Sequence, residues 1–191
     1  MPKEIVCLFG SPRSKGNSAI IARRFNESAE NLGAMVKPFY LNKLQYQGCQ
    51  GCMACKTKSD KCILEDDLTE VLEAVRNTDI MVIATPTYYG DVSSQVKAFI
   101  DRTFSYFVPD YTTNPKPSRL ETGKKMVFIQ TQGDSDEKHF NDAFPRYAFF
   151  FNLYGFNESY HIRACGVMAA GKVEALEDVM KLTEETAKKD I

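Results

Sequence analysis

The feature that most constrains the fold is an alternation: a short apolar run, then a stretch with helical spacing, repeated along the chain. "EIVCLFG" (4–10) is almost wholly apolar and ends in glycine, as a strand covered on both faces does. "NSAIIARRFNESAENLG" follows, with Ile21, Phe25, Ser28/Ala29 and Leu32 on one helical face, Asn17 or Ser18 as cap and Gly33 as stop. "AMVKPFYL" (34–41) reads as a second strand, and Pro38 suggests an edge. "DDLTEVLEAVRNT" turns Leu68, Val71, Leu72 and Val75 to one side, with Asp66 and Asp67 at its positive end. "DIMVIATP" (79–86) is a third strand, and "SSQVKAFIDRTFSYF" a helix with Val96, Phe99, Ile100, Thr103 and Phe107 inward. "KKMVFIQTQG" (124–133) is a fourth strand. "HFNDAFPRYAFFFNLYG" is helical in pattern, and Pro145 is expected to kink or split it. "ESYHIRACG" (158–166) is a fifth strand, and 172–189 an amphipathic helix. Strands joined by crossover helices pair in parallel, so one doubly wound α/β domain over 1–191 is expected.

At 191 residues and 43% apolar, the chain buries a full core and is not disordered. Its 24 basic and 25 acidic residues form no basic stripe, which argues against nucleic acid as a partner. No apolar segment reaches membrane-span length, and the first residues lack a signal-peptide layout. The default expectation is cytoplasmic. There, clustered cysteines favour metal or catalytic roles over disulfides.

In such folds ligands sit beyond the carboxyl ends of the strands, so the loops after strands one, three and four matter most. The first, "GSPRSKGNS" (10–18), offers short donors, two cations (Arg13, Lys15) and the free N–H groups of a helix start, a setting for an anion. It matches neither the dinucleotide fingerprint nor the nucleotide P-loop; a plain capped helix start is the bland alternative. The loop after strand three, "TPTYYGDVSSQVKAFID", brackets Tyr88 and Tyr89 between Pro86 and Gly90 and can border a flat heterocycle. Alternatively both tyrosines simply pack on the next helix. "TQGDSDE" (131–137) can close the far side. The proline-rich run 108–123 is long enough for a lid or an interface loop.

These loops, with "CQGCMACKTKSDKCILEDDL" between them, resemble the NADPH-dependent FMN reductase group of flavodoxin-like proteins, and within it the iron–sulfur flavoproteins. The likeness covers residues 3–135 well and the C-terminal third by pattern only. It implies a flavodoxin-like three-layer sandwich with five parallel strands in order 2-1-3-4-5, and one FMN per chain. It also implies a phosphate site at Ser11, Arg13, Ser14, Gly16, Asn17 and Ser18. Pro86, Thr87, Tyr88, Tyr89 and Gly90 would border the isoalloxazine, with Thr131, Gln132 and Gly133 as a third contact. NAD(P)H is the implied co-substrate, and the implied assembly is a homodimer or homotetramer.

Cys49, Cys52, Cys55 and Cys62 lie in a loop at 47–63, spaced as Cys-x2-Cys-x2-Cys-x6-Cys. The resemblance implies a [4Fe–4S] cluster. Spacing alone leaves zinc or unmetallated thiols open. Cys7 and Cys165, within apolar runs, read as buried inert thiols. His139, at the start of a helix, and His161, in a strand, have no companion at ligand spacing. Three functions stay open. One is an oxidoreductase passing electrons from NAD(P)H to a quinone, flavin, nitro compound or oxygen. Another is an electron carrier serving ferredoxin. The third is a zinc- or thiol-based binding module.

Overall fold

Along β1 (Glu4–Phe9) successive side chains leave the sheet on opposite sides, and both sides are covered. Val6 and Leu8 enter one core with Met81, Ile83, Met126 and Phe128; Ile5, Cys7 and Phe9 enter the other with Ile80, Val82, Val127 and Ile129. This is why the strands read as unbroken apolar runs. The structure is a computed structural model describing residues 2–190; Met1 and Ile191, the ends of the expected 1–191 domain, lie outside the described residues.

α1 (Asn17–Asn31) leads to β2 (Met35–Tyr40). One short helical turn, α2 (Ala54–Thr57), and then α3 (Leu68–Asn77) precede β3 (Ile80–Pro86). α4 (Ser94–Arg102), β4 (Lys124–Thr131), α5 (Ala143–Leu153), β5 (Phe156–Ala164) and α6 (Glu177–Asp190) complete the order. The sheet is parallel throughout, in order β2-β1-β3-β4-β5. α1 and α6 pack on one face; α3, α4 and α5 pack on the other. Phe25 and Phe99, fully buried in opposite layers, each contribute about 2–3 kcal/mol of transfer free energy. The order reverses between β1 and β3, which opens a crevice at their carboxyl ends. Pro38 lies on edge strand β2, where its missing N–H costs no central ladder bond.

Four local expectations change. Gly16, not Asn17 or Ser18, is the cap of α1, because the Asn17 side chain is drawn to a remote loop. Leu32, beyond the end of α1, is 48% exposed rather than inward. Pro145 neither kinks nor splits α5: it lies in the first turn, where N–H groups lack intrahelical partners anyway. His139 lies in a turn before α5, not at a helix start. No helix among the described residues is long and apolar enough to cross a membrane.

Candidate cofactor site

β1 ends at Phe9, and the next residue decides how closely the chain can pass. Gly10 donates its N–H to Ala84 O (2.8 Å) and accepts from Ser93 Oγ (2.7 Å); a Cβ there would lie 2.1 Å from Val96 Cγ2. The loop then curls on itself. Ser11 Oγ accepts from Arg13 N (3.1 Å), Gly16 N donates to Arg13 O (2.9 Å), and a Cβ on Gly16 would meet Ser11 Oγ at 2.7 Å. α1 begins there, with its free N–H groups and dipole directed at the crevice. Ser18, 1% exposed, has a hydroxyl with no partner. A buried hydroxyl left unpaired costs about 1–3 kcal/mol, so this atom fits a ligand oxygen.

The loop after β3 is a tight reversal. Tyr88 and Asp91 exchange backbone hydrogen bonds (2.8 and 3.1 Å), and Tyr89 and Gly90 between them both have positive φ (+50° and +81°). A two-residue turn of this hand favours glycine at its second position. Asp91 anchors it: Oδ1 accepts from Val92 N and Tyr147 OH (2.7 Å each), and Oδ2 from Arg146 (3.1 Å). Tyr89 is left fully exposed and Tyr88 44% exposed, so neither simply packs on the next helix.

The loop after β4 is fixed by Gln132, whose Oε1 accepts from Arg163 (2.6 Å) and whose Nε2 donates to Asp134 O and Asp136 O. A Cβ on Gly133 would lie 2.6 Å from Met168 Cε.

Together these loops enclose a cavity of about 550 Å3. Ser11, Arg13, Gly16, Asn17 and Ser18 line it on one side, Pro86, Thr87, Tyr88, Tyr89 and Gly90 on another, and Thr131, Gln132 and Gly133 on a third. Ser14 does not line it; its carbonyl accepts from Arg23 (2.9 Å). The sequence reading missed Asp134, Phe140, Val167, Met168 and Ala170. Asn17 brings in the last three: its Nδ2 donates to Val167 O and Ala169 O (2.8 Å each), and its Oδ1 accepts from Val173 N (3.2 Å). The available signal was position: "GVMAAG" follows β5, at the same end of the sheet. Phe140, at φ +59°, packs its ring on Gly90, 3.0 Å from where a Cβ would be. The cavity is polarised. Arg13 and the α1 terminus lie at one end; at the other, the Asp136 N–H and the His139 ring hold the Asp134 carboxyl below its usual range. The glycine cradle, helix terminus and unpaired Ser18 suit a terminal phosphate, and the broad remainder suits a flat ring. The residues fit FMN.

The cysteine segment is built differently. Gly51 and Met53 both have positive φ (+63° and +57°), reversing the chain between successive cysteines. Cys49 and Cys52 are exposed, Cys55 and Cys62 half-buried, and all four are free thiols. Cys49 lines an aromatic cavity of about 500 Å3 with Phe104, Tyr111 and Tyr154; Cys62 lines a separate open groove with Asp66 and Arg76. Among the described residues, no three His, Cys, Asp or Glu side chains are grouped to hold a metal. The donor type fits a cluster; the arrangement does not. Three cations pin the segment. Lys56 Nζ donates to Phe104 O (2.6 Å) and Phe107 O (2.8 Å) and lies 3.6 Å from Cys55 Sγ. Arg119 donates to Cys55 O (3.0 Å), and Arg102 spans Gln47 O, Leu64 O and Asp66 Oδ2 (2.8–3.0 Å). Arg119 comes from the 108–123 excursion, none of which lines the 550 Å3 cavity. Cys7 is buried, which raises its thiol pKa to about 12. Cys165 lies just past β5 and is only half-buried.

Comparison with known proteins bears on both regions. An iron–sulfur flavoprotein of Archaeoglobus fulgidus is 34% identical over 101 residues, 53% of this chain and 46% of that protein. An FMN-dependent NADH:quinone oxidoreductase of Stenotrophomonas maltophilia is 31% identical over 110 residues, 53% of this chain and 52% of that one. The chain thus spans about half the length of the curated relatives it matches. An FMN-dependent NADH-azoreductase of Bacillus anthracis, solved with FMN, superposes with a TM-score of 0.75 at 19% identity, covering 97% of this chain and 98% of that one. An NAD(P)H:quinone oxidoreductase of Methanothermobacter marburgensis gives 0.74 at 15% identity, covering 99% and 97%. Those two likenesses speak for the fold. The family model of NADPH-dependent FMN reductases matches residues 4–142, from β1 to the turn before α5, and the chain belongs to that family.

Proposed function

We propose that this chain is an FMN-dependent NAD(P)H oxidoreductase that delivers electrons to a small acceptor of the quinone class. The observation that carries the reading is Ser18: a buried, unpaired hydroxyl in the first turn of α1, among the residues lining a cavity, beside a loop whose tight path Gly10 and Gly16 permit. FMN bound there supplies two-electron chemistry between a nicotinamide and an acceptor. Ser11, Ser18, the α1 terminus and Arg13 hold its phosphate; Arg13, exposed at the mouth, is the cationic partner. The turn at Tyr88–Gly90 borders the ring, and its stiffness, set by Asp91, keeps that wall fixed. Tyr89 stands in solvent and leaves the outer approach open to a second flat molecule. The acceptor class is supported by a relative named as a quinone oxidoreductase.

The test is a titration of flavin-free protein with FMN, followed by anaerobic addition of NADPH or NADH. Tight, stoichiometric uptake and bleaching of the flavin are expected. No uptake would overturn the reading, and uptake with a nicotinamide-inert flavin would transfer it to an electron carrier for a ferredoxin-like partner. The iron–sulfur expectation rests on the cysteine spacing and on the relatives' names; the thiols here diverge, and no step is assigned to a cluster. Iron and sulfide analysis of anaerobically purified protein decides it, with about four irons per chain as the supporting result. A homodimer or homotetramer is part of the same proposal, tested by sedimentation.

A further inference from the structure

Gln130 is 1% exposed at the carboxyl end of β4, one residue before the cavity wall begins. Its amide can be oriented in only one way. Nε2 lies 3.1 Å from Phe140 O and 3.1 Å from Thr87 Oγ1. A carbonyl only accepts, so the NH2 group faces both, and Oε1 faces His161 Nε2 at 3.1 Å. His161 must therefore carry its proton on Nε2. Its ring is stacked on Phe144 (4.4 Å, 14°), and burial lowers its pKa to about 4, so at neutral pH it is an uncharged donor of fixed tautomer. Thr87 Oγ1 already accepts from Gln130. Its own proton is left to donate, no described residue accepts it, and Thr87 lines the cavity. Phe140, held by the same amide, is part of the facing wall.

We infer that His161 and Gln130 are positioning residues that fix Thr87 as a hydrogen-bond donor into the cavity, and that this donor makes the site hold a reduced, electron-rich flavin more tightly than an oxidised one. The inference rests on the FMN reading above and adds a tuning device to it. A donor fixed before electrons arrive stabilises added negative charge without reorganising.

The experiment compares wild type with Thr87→Val, Gln130→Met, His161→Phe and His161→Gln. Affinity for oxidised FMN and the two-electron flavin potential are measured in each. Thr87→Val and Gln130→Met are expected to lose about ten-fold more affinity for reduced than for oxidised FMN, a shift of about −30 mV. His161→Phe, which keeps a ring on Phe144, should move the potential the same way by less, and His161→Gln, which keeps a donor, should restore it. Where Gln130→Met does not fold, Thr87→Val, the smaller change, carries the test. Folded Thr87→Val with FMN bound and an unchanged potential would overturn the proposal, as would a His161→Phe effect confined to thermal stability. Failure of the wild-type chain to take up FMN overturns the reading of the cavity instead.

Discussion

The FMN cavity and the cysteine segment make opposite use of sequence distance. The cavity draws on residues from position 11 to position 170, yet they converge on about 550 Å3 with glycines where backbone is close and a hydroxyl left unpaired. The four cysteines fall within one loop, yet the first and last of them, Cys49 and Cys62, line two different depressions. A strand end is fixed by ladder bonds on both sides, so loops leaving neighbouring strands are aimed before any ligand arrives. The cysteine segment has no ladder. Arg102 and Arg119 hold its backbone from outside, through carbonyls of Gln47, Leu64 and Cys55, and its own Lys56 reaches out to Phe104 O and Phe107 O. Convergence in the first region is a property of the sheet; in the second it would have to come from an occupant.

That contrast can be broken at its strongest points. Arg102 is fully buried and clamps both ends of the cysteine loop, with Asp66 as its ion-pair partner. Arg102→Ala should cost about 3–5 kcal/mol in denaturant unfolding, because buried acceptors and Asp66 lose their donor; a midpoint unchanged from wild type would mean the loop is not held there. Gly10→Ala places a methyl carbon 2.1 Å from Val96 Cγ2 and should cost about 1–3 kcal/mol, with FMN uptake weakened as the loop shifts. Arg13→Ala should leave folding intact and raise the FMN dissociation constant about 10- to 100-fold, the loss of one charge-assisted contact. Equal affinity would remove the phosphate assignment.

Two smaller effects sharpen the comparison. The folded pKa of His161 is about 4, while an unfolded imidazole takes up its proton near 6.5. The unfolded state thus binds more protons in between, so the His161 contribution is whole above pH 6.5 and is lost as pH falls from 6.5 towards 4. It amounts to about 1–2 kcal/mol after allowance for partial exposure, and should be absent in His161→Phe. Cys52→Ser, at an exposed thiol outside the FMN cavity, should change stability and FMN affinity by less than about 0.5 kcal/mol. A larger loss of FMN affinity would couple the two regions.

Periodicity and residue type alone determine much of this molecule. Apolar runs ending at Gly10, Pro86 and Gly133 mark parallel strands, because only strands covered on both faces are apolar throughout. The three loops after them mark the cavity, because sheet topology fixes where ligands bind. Other features depended on the tertiary structure. Asn17 reads as a cap until a loop some 150 residues later supplies two carbonyls for its amide. Pro145 reads as a break until the helix is seen to start beside it. His161 and Gln130 read as unremarkable strand residues until α5 lays Phe144 over one and the β3 loop brings Thr87 to the other. The four cysteines read as one site until the fold sets Cys49 and Cys62 in separate depressions. Local sequence sets which backbone shapes a segment can take. Which polar atoms meet is decided by long-range packing, and that is where the cavity's added wall and its hydrogen-bond chain arise.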